Sequence, residues 1–258
     1  MPRFIRWQGI VLCVAALVST VWLAVTNQLI LYIHPRYIVF TVIMTVLGLV
    51  LVIASFGRSP GHEHEHEHEH EHEHEDAAPR GFRRAISVVG TVVTLVMATA
   101  LVVVPPATLT TATADQRVIN STQVGSGTKT VDSAASAPAG AFARFTVLDW
   151  SSLLRQTTDA SFYRDKAANV VGFITTDRDD PQNVFYVSRF VITCCAVDAQ
   201  PVGVPVFLPN WQTRFAADHW VRVSGSFQTN PSTKSQQSIA LVPTATTKVD
   251  QPSEPYLY

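Results

Sequence analysis

The sequence predicts a two-part molecule: a membrane α-helical N-terminal part with three transmembrane helices, followed by a small all-β C-terminal domain. Three observations carry that prediction. The first 104 residues contain three long apolar runs without a charged side chain. From about Arg144 onward, five short β-type runs alternate with turn signals. Between these parts lies a stretch of Thr, Ala, Ser, Gly and Pro with almost no large apolar residue. The expected organisation is two spans in residues 1–56, a loop in 57–84, a third span in 85–104, a linker in 105–143 and the β-rich domain in 144–258.

The first run, residues 10–25, reaches the roughly 20 residues a bilayer span needs once Trp7 to Gly9 and Thr26 are added. Residues 38–56 and 85–104 are the second and third. Backbone in hydrocarbon must satisfy its own hydrogen bonds, so all three are expected as helices. Arg3 and Arg6 precede the first run as in a secretory signal, but the run is long and no A-x-A site closes it, so an uncleaved anchor is expected. Trp7 and Trp22 read as interfacial anchors, Cys13 as a packing or lipid-facing residue, and His34, beside Pro35, as a turn residue at the membrane edge. The spans carry no acid or base, which argues against a standalone ion carrier.

Orientation follows the Lys/Arg bias of the short loops. Arg3, Arg6, Arg58, Arg80, Arg83 and Arg84 lie on one side, and only Arg36 and Arg117 on the other. The N-terminus and the 57–84 loop are therefore expected in the cytoplasm, and the C-terminal domain outside it, on a multi-pass protein of the cell membrane.

That loop contains GHEHEHEHEHEHEHED, residues 61–76, in which His62, His64, His66, His68, His70, His72 and His74 are each followed by Glu. The chain is −1 overall, with 19 basic and 20 acidic residues, yet the tract holds eight of the acids and no base. Its charge is local. In an extended conformation, alternate residues point opposite ways and present a row of imidazoles backed by carboxylates. With a reference pKa near 6.5 the imidazoles are mostly neutral in the cytosol, ready for Zn, Ni or Cu. No fixed partner orients any of them, so the tract suits a metal concentrator better than a structural site. A slipped repeat with incidental affinity is the plainer alternative.

The 105–143 segment cannot bury enough surface to offset ordering its backbone and reads as a flexible stalk. Asn120-Ser121-Thr122 matches a glycosylation sequon, a pattern too short to weigh much. Past it, FTVLDWSSLLRQ (145–156) has helical spacing with Asp149 or Ser151 as N-cap. Strands are expected over residues 169–176, 184–195, 202–208, 219–228 and 238–242. In WVRVSGSF, Val221 and Val223 face one way and Arg222 the other. Residues 177–183 (DRDDPQN) form a turn in which Pro sets φ and Asp or Asn caps the backbone. Five short strands in about 100 residues suggest a barrel or a sandwich.

The chemistry of this domain is concentrated in residues 188–206, SRFVITCCAVDAQPVGVPV. In a regular strand Cys194 shares a face with Phe190 and Ile192, and Cys195 points the other way. A bond between them would close a strained eight-membered ring, so a vicinal disulfide is not expected. The thiols are candidate ligands for a soft or borderline cation, aided by Asp198, by the Asp177/Asp179/Asp180 turn or by His219. From spacing alone the plainer reading prevails: Cys194 as a small buried hydrophobe and Cys195 as its neighbour, because C-C lacks the C-x-x-C geometry of ordinary zinc sites. His219 beside Trp220 likewise reads as a strand-start residue before a ligand.

The order of features resembles a bacterial family of predicted permease subunits: two spans joined by a Y-x-H-P-R-like connection, a variable and often His-rich loop, another span, and a C-terminal domain of unknown function. The match is closest over residues 172–206, GFITTDRDDPQNVFYVSRFVITCCAVDAQPVGVPV, whose S-R-F and C-C-x-x-D-A-x-P-x-G motifs it shares. The resemblance implies a non-enzymatic accessory subunit whose partner is a larger multi-span permease, in a system connected with zinc or related metals. It also implies an OB-like barrel. By motif position Arg189, Cys194, Cys195, Asp198 and Gly203 are the candidate functional residues. The implied partners are the permease, membrane lipid and divalent cations. Nucleic acid is not among them: residues 144–258 carry ten Lys/Arg against ten Asp/Glu and lack the basic footprint it requires. The alternative is an extracytoplasmic binding or scaffolding protein whose metal binding is incidental.

Overall fold

The computed structural model describes residues 2–57, 80–104, 107–121, 129–164 and 166–258. The seven tract histidines, His62 to His74, lie outside the described residues. The chain divides into two compact units, Met1–Ile30 with Pro35–Pro106, and Leu31–His34 with Ala107–Tyr258.

The first unit consists of α1 (Pro2–Val25), α2 (Ile38–Gly57) and α3 (Arg80–Val103), one for each apolar run. Among the described residues one stretch, Pro35–Ala54, is long and apolar enough to cross a membrane, and Gly9–Val25 and Val88–Ala100 are shorter apolar helices. Only 6% of the Pro35–Ala54 window is buried, unlike the core helix of a water-soluble fold. Large side chains including Val39, Phe40, Leu51, Val88 and Leu95 stand exposed, far beyond the scattered apolar residues of a soluble surface. α1 packs against both α2 and α3. The hydroxyls of Thr20, Thr45, Thr94 and Thr99 donate to the carbonyl four residues back at 2.8–2.9 Å, satisfying themselves inside the helix.

The second unit is built on β1 (Ala167–Thr176), β2 (Val184–Val191), β3 (Gln200–Phe207), β4 (Trp220–Thr229), β5 (Ile239–Lys248) and β6 (Tyr256–Leu257). All five expected runs are strands, and β6 is an addition too short to leave a period in the sequence. β1 pairs antiparallel with β4 over Ala167 to Phe173 and with β2 over Phe173 to Thr176. β2 continues antiparallel to β3, β3 meets β5 in parallel, and β5 runs antiparallel to β4. The pairings close a ring, β1–β2–β3–β5–β4–β1, which makes this a barrel and not a sandwich, with β6 added in parallel to β2. β1 changes partner beside Gly172, where a Cβ would sit 2.4 Å from the Ser188 carbonyl oxygen. Only glycine lets the strands approach so closely at this corner.

The alternation expected in β4 holds: Val221 and Val223 are fully buried and Arg222 is exposed. Their inward neighbours include Ile174, Phe185, Val187, Val204 and Leu241. Over this core lies α6 (Val147–Gln156), which follows two shorter helices, α4 (Thr111–Ala114) and α5 (Val131–Ala135), and precedes a third short one, α7 (Ala160–Tyr163). The N-cap of α6 is Thr146, not Asp149 or Ser151. Thr146 Oγ1 accepts from the Asp149 N–H at 3.2 Å and the Asp149 carboxylate accepts from the Thr146 N–H at 2.8 Å. This reciprocal box starts the helix at Val147, the first residue of the apolar spacing and ahead of both expected caps. Trp150, fully buried on α6, rests against the rings of Phe142, Phe145 and Phe227.

The expected stalk is a further difference. Its described parts, residues 107–121 and 129–143, fold onto the barrel: Ala114 and Ala134 are buried, and Phe142 is 7% exposed. Composition judged this segment unable to fold by its own burial. Borrowed partners order it instead: Leu109 N–H donates to the Tyr256 hydroxyl at 3.0 Å and Thr111 N–H to the Asp218 carboxylate at 2.6 Å.

Candidate metal centre

β2 ends at Val191, three residues before the first thiol. The reason is Asp198. Its carboxylate accepts from the backbone N–H groups of Thr193 (3.1 Å), Cys194 (2.7 Å) and Cys195 (3.3 Å), which a continued strand would have offered to a ladder. A 3₁₀ turn, Ala196–Asp198, closes the loop, with the Asp198 N–H donating to the Cys195 carbonyl at 3.0 Å. The chain therefore coils around one carboxylate. The expected strand alternation does not reach the thiols, and they do not point apart: Cys194 Sγ lies 3.7 Å from Cys195 Sγ. Nor is Cys194 a buried hydrophobe; it is exposed, and Cys195 is half-buried.

A sulfur from each cysteine and a carboxylate oxygen of Asp198 all lie within 4.8 Å of one another. Two thiolates on one tetrahedral ion at about 2.3 Å stand about 3.8 Å apart, close to the separation found here. Three N–H groups already orient the Asp198 carboxylate, as the outer contacts of a metal-binding carboxylate do. With about four lone-pair directions on a carboxylate, the three N–H groups leave one, which the Cys194 thiol meets. Partial burial pushes the Asp198 carboxyl up, but the Cys194 thiol and the three N–H donors outweigh it and hold the carboxyl below its usual range. The same contact with Asp198, aided by Cys195, pushes the Cys194 thiol up to about 11. At neutral pH a proton sits where the three donors converge.

A second segment grips this turn. The connection between α1 and α2 runs alongside it as a short antiparallel bridge, Ile33 opposite Cys195. Ala196 N–H donates to the Tyr32 carbonyl at 2.8 Å and His34 N–H to the Cys194 carbonyl at 2.9 Å. Leu31 packs with Phe190, Ile192, Ala199 and Tyr256, and the His34 ring stands edge-on to Tyr258 at 4.8 Å. His34 is thus part of the folded domain, where its sequence neighbourhood suggested a simple membrane-edge turn. Nothing in composition or period marks these residues; only the Y-x-H-P-R resemblance singled out their stretch.

The remaining candidates sit elsewhere. Arg189 lies over the Trp220 ring at 5.3 Å and donates to the carbonyls of Pro255 (2.8 Å) and Glu254 (2.6 Å), clasping β6 to β2. Burial draws its pKa down to about 10 against the opposing pull of Tyr258 and Glu254. Gly203 exchanges two 2.9 Å hydrogen bonds with the side chain of Asn120, and a Cβ there would meet Ser188 Oγ at 2.9 Å. Asn120, in the left-handed region at φ 61°, has both amide atoms committed to this contact, which leaves the sequon nitrogen engaged. Asp177 is buried, and accepts from the N–H groups of Asp179 and Asp180 at 2.9 and 2.8 Å as the turn chemistry predicted. His219 Nδ1 accepts from the Ala216 N–H at 3.1 Å. Among the described residues, the three-donor cluster comprises Cys194, Cys195 and Asp198; neither Asp177 nor His219 joins it. One contact links the turn to a polar cleft of about 270 Å³ bordered by Asp115, Asp177, Arg178 and Tyr186: Arg117, on its rim, donates to the Val197 carbonyl at 2.9 Å.

Comparison with family models matches residues 7–120 to the DUF1980 N-terminal domain and residues 146–258 to the DUF1980 C-terminal domain. Curated proteins provide no match.

Proposed function

Because the chain belongs to the DUF1980 family, with both of its domains in order, we propose that it is a non-enzymatic accessory subunit of a membrane permease system for divalent metal, zinc before nickel or copper. The observation that carries the reading is the convergence of two thiols 3.7 Å apart with one oriented carboxylate on an exposed turn. In this reading α1, α2 and α3 all cross the membrane, with the His/Glu loop in the cytoplasm to gather cations. The β-rich domain lies on the far side, where its Cys194–Cys195–Asp198 turn meets the cation or the permease that moves it.

The ring order β1–β2–β3–β5–β4 supports an OB-like barrel. Barrels of that kind bind oligonucleotides on the face of the second and third strands. In this chain those strands are engaged by its own segments, with Arg189 on β2 holding residues 254–255 and Gly203 on β3 holding Asn120. That occupation and the near-neutral charge favour a role apart from nucleic acid.

Complementation tests the proposal. A strain lacking the chain is supplied with wild type, a variant without residues 61–76, or Cys194→Ser/Cys195→Ser, and grown across metal-limited and metal-replete media. Loss of metal-dependent growth in the variants, with a multi-span permease copurifying, is expected. Wild-type growth of both variants throughout would remove the metal role and leave a scaffolding protein. The structural employment of Arg189 and Gly203 favours that second reading.

A further inference from the structure

We propose that Cys194, Cys195 and Asp198 form an open, three-donor transfer site for a thiophilic cation, with a fourth position that the described residues leave to an incoming ligand. The inference rests on the metal-linked reading above and adds the class of cation and the manner of its exchange.

The donor set selects the class. Two sulfurs and one oxygen suit Zn(II) or Cu(I). Hard cations are poorly served, because Ca(II) takes six to eight oxygen ligands and Mg(II) near-ideal octahedral oxygen. The sulfur separation of 3.7 Å already fits a tetrahedral ion, so binding asks for little movement of the thiols.

The site's position decides the manner. Structural zinc sites are closed by four protein ligands, whereas sites that exchange a ligand keep one position open. Here the described residues bring together three donors, on a turn where Cys194 is exposed and the neighbouring Val197 is 82% exposed. A donor from another molecule approaches without displacing any packed element. The turn itself is held firmly, from within by Asp198 and from outside by Tyr32 and His34. Rigid donors with a vacant side suit passing a cation along better than retaining it.

The test uses the full chain in nanodiscs under reducing conditions, with the seven tract histidines replaced by Asn so that the loop cannot contribute. Co(II) is the probe, since its absorption reports thiolate number and coordination geometry. One Co(II) per chain is expected, with charge-transfer bands of two thiolates, displacement by Zn(II) and none by Mg(II) or Ca(II). Cys194→Ser, at an exposed position outside the core, should weaken binding by more than the roughly 10- to 100-fold that loss of an outer contact costs. Adding imidazole should then shift the ligand-field bands as it takes the fourth position. Stoichiometric binding through both thiols with a spectrum indifferent to imidazole would overturn the open site while leaving a metal-binding domain. Absence of Co(II) and Zn(II) binding, with the fold intact by circular dichroism, would overturn this inference and leave the metal-linked reading to the His/Glu loop alone.

Discussion

The backbone N–H of His34 donates to the carbonyl of Cys194 at 2.9 Å, joining residues 160 positions apart. With the reciprocal bond from Ala196 to Tyr32, it ties the short connection between α1 and α2 to the turn that carries both thiols.

The strap has a clean perturbation in Ala196→Pro. Ala196 opens the 3₁₀ turn, a position where proline's fixed φ is welcome, and Cys195 before it is extended at φ −153°, ψ 169° as a pre-proline residue prefers. The substitution therefore deletes one N–H, the one donated to Tyr32. A net loss of about 1 kcal/mol should speed amide exchange over residues 31–34 about five-fold, measured by hydrogen-exchange mass spectrometry. Unchanged exchange there would show that the bridge does not order the connection.

Arg189→Lys keeps the charge and removes the planar fork. The carbonyls of Glu254 and Pro255 lose their paired donors, and β6 should detach from β2. A destabilisation of about 1.5–3 kcal/mol is expected, with faster proteolysis within residues 250–258. Denaturant titration reads the first and timed digestion the second.

Gly203→Ala and Asn120→Ala break one contact from its two sides. Each should cost about 1–3 kcal/mol, the first by a Cβ forced against Ser188 Oγ and against Ile119, which carries Asn120 away, and the second by the loss of both bonds to the Gly203 backbone. The double variant should lose clearly less than the sum. Additive losses in a double-mutant cycle would show that the two residues act separately.

Acid should loosen the junction between residues 177–183 and 230–237. The Ser232 hydroxyl, 2.6 Å from the Asp180 carboxylate, lowers its pKa; burial opposes this and Asn183 adds to the lowering. A carboxyl whose folded pKa lies below its ordinary 3.8 stabilises the fold above that value, and the contribution disappears as pH falls through the folded pKa. Asp180→Asn should be less stable than wild type at pH 7 and should flatten this part of the acid limb. Urea midpoints measured from pH 6 down to pH 2 check it.

Zinc affinity at the thiol turn should fall with acidity. The Cys194 thiol, raised to about 11 by its contact with Asp198, holds its proton at neutral pH, so binding must release it. Calorimetry of the tract-substituted chain in buffers of different ionisation heat should report one to two protons released per zinc. A release of zero would place the metal elsewhere.

Much of this molecule was legible in its sequence because local rules govern it. Three charge-free runs became three helices, turn residues such as Asp177 and Asp180 fell between strands, and alternation in WVRVSGSF reported which residues face the core. Where β2 stops was not legible. Period-2 reasoning carried the strand through Cys195, but one carboxylate three residues farther on collects the N–H groups a ladder needs, and that competition depends on how the turn folds. The stalk failed for a related cause: poor in burial by itself, it is ordered by Asp218, Tyr256 and Gly203, all distant in sequence. Sequence determined the kinds of element and the candidate ligands. Tertiary structure decided that Cys194, Cys195 and Asp198 converge, because such closeness comes from three-dimensional closure of the chain, for which no local pattern codes.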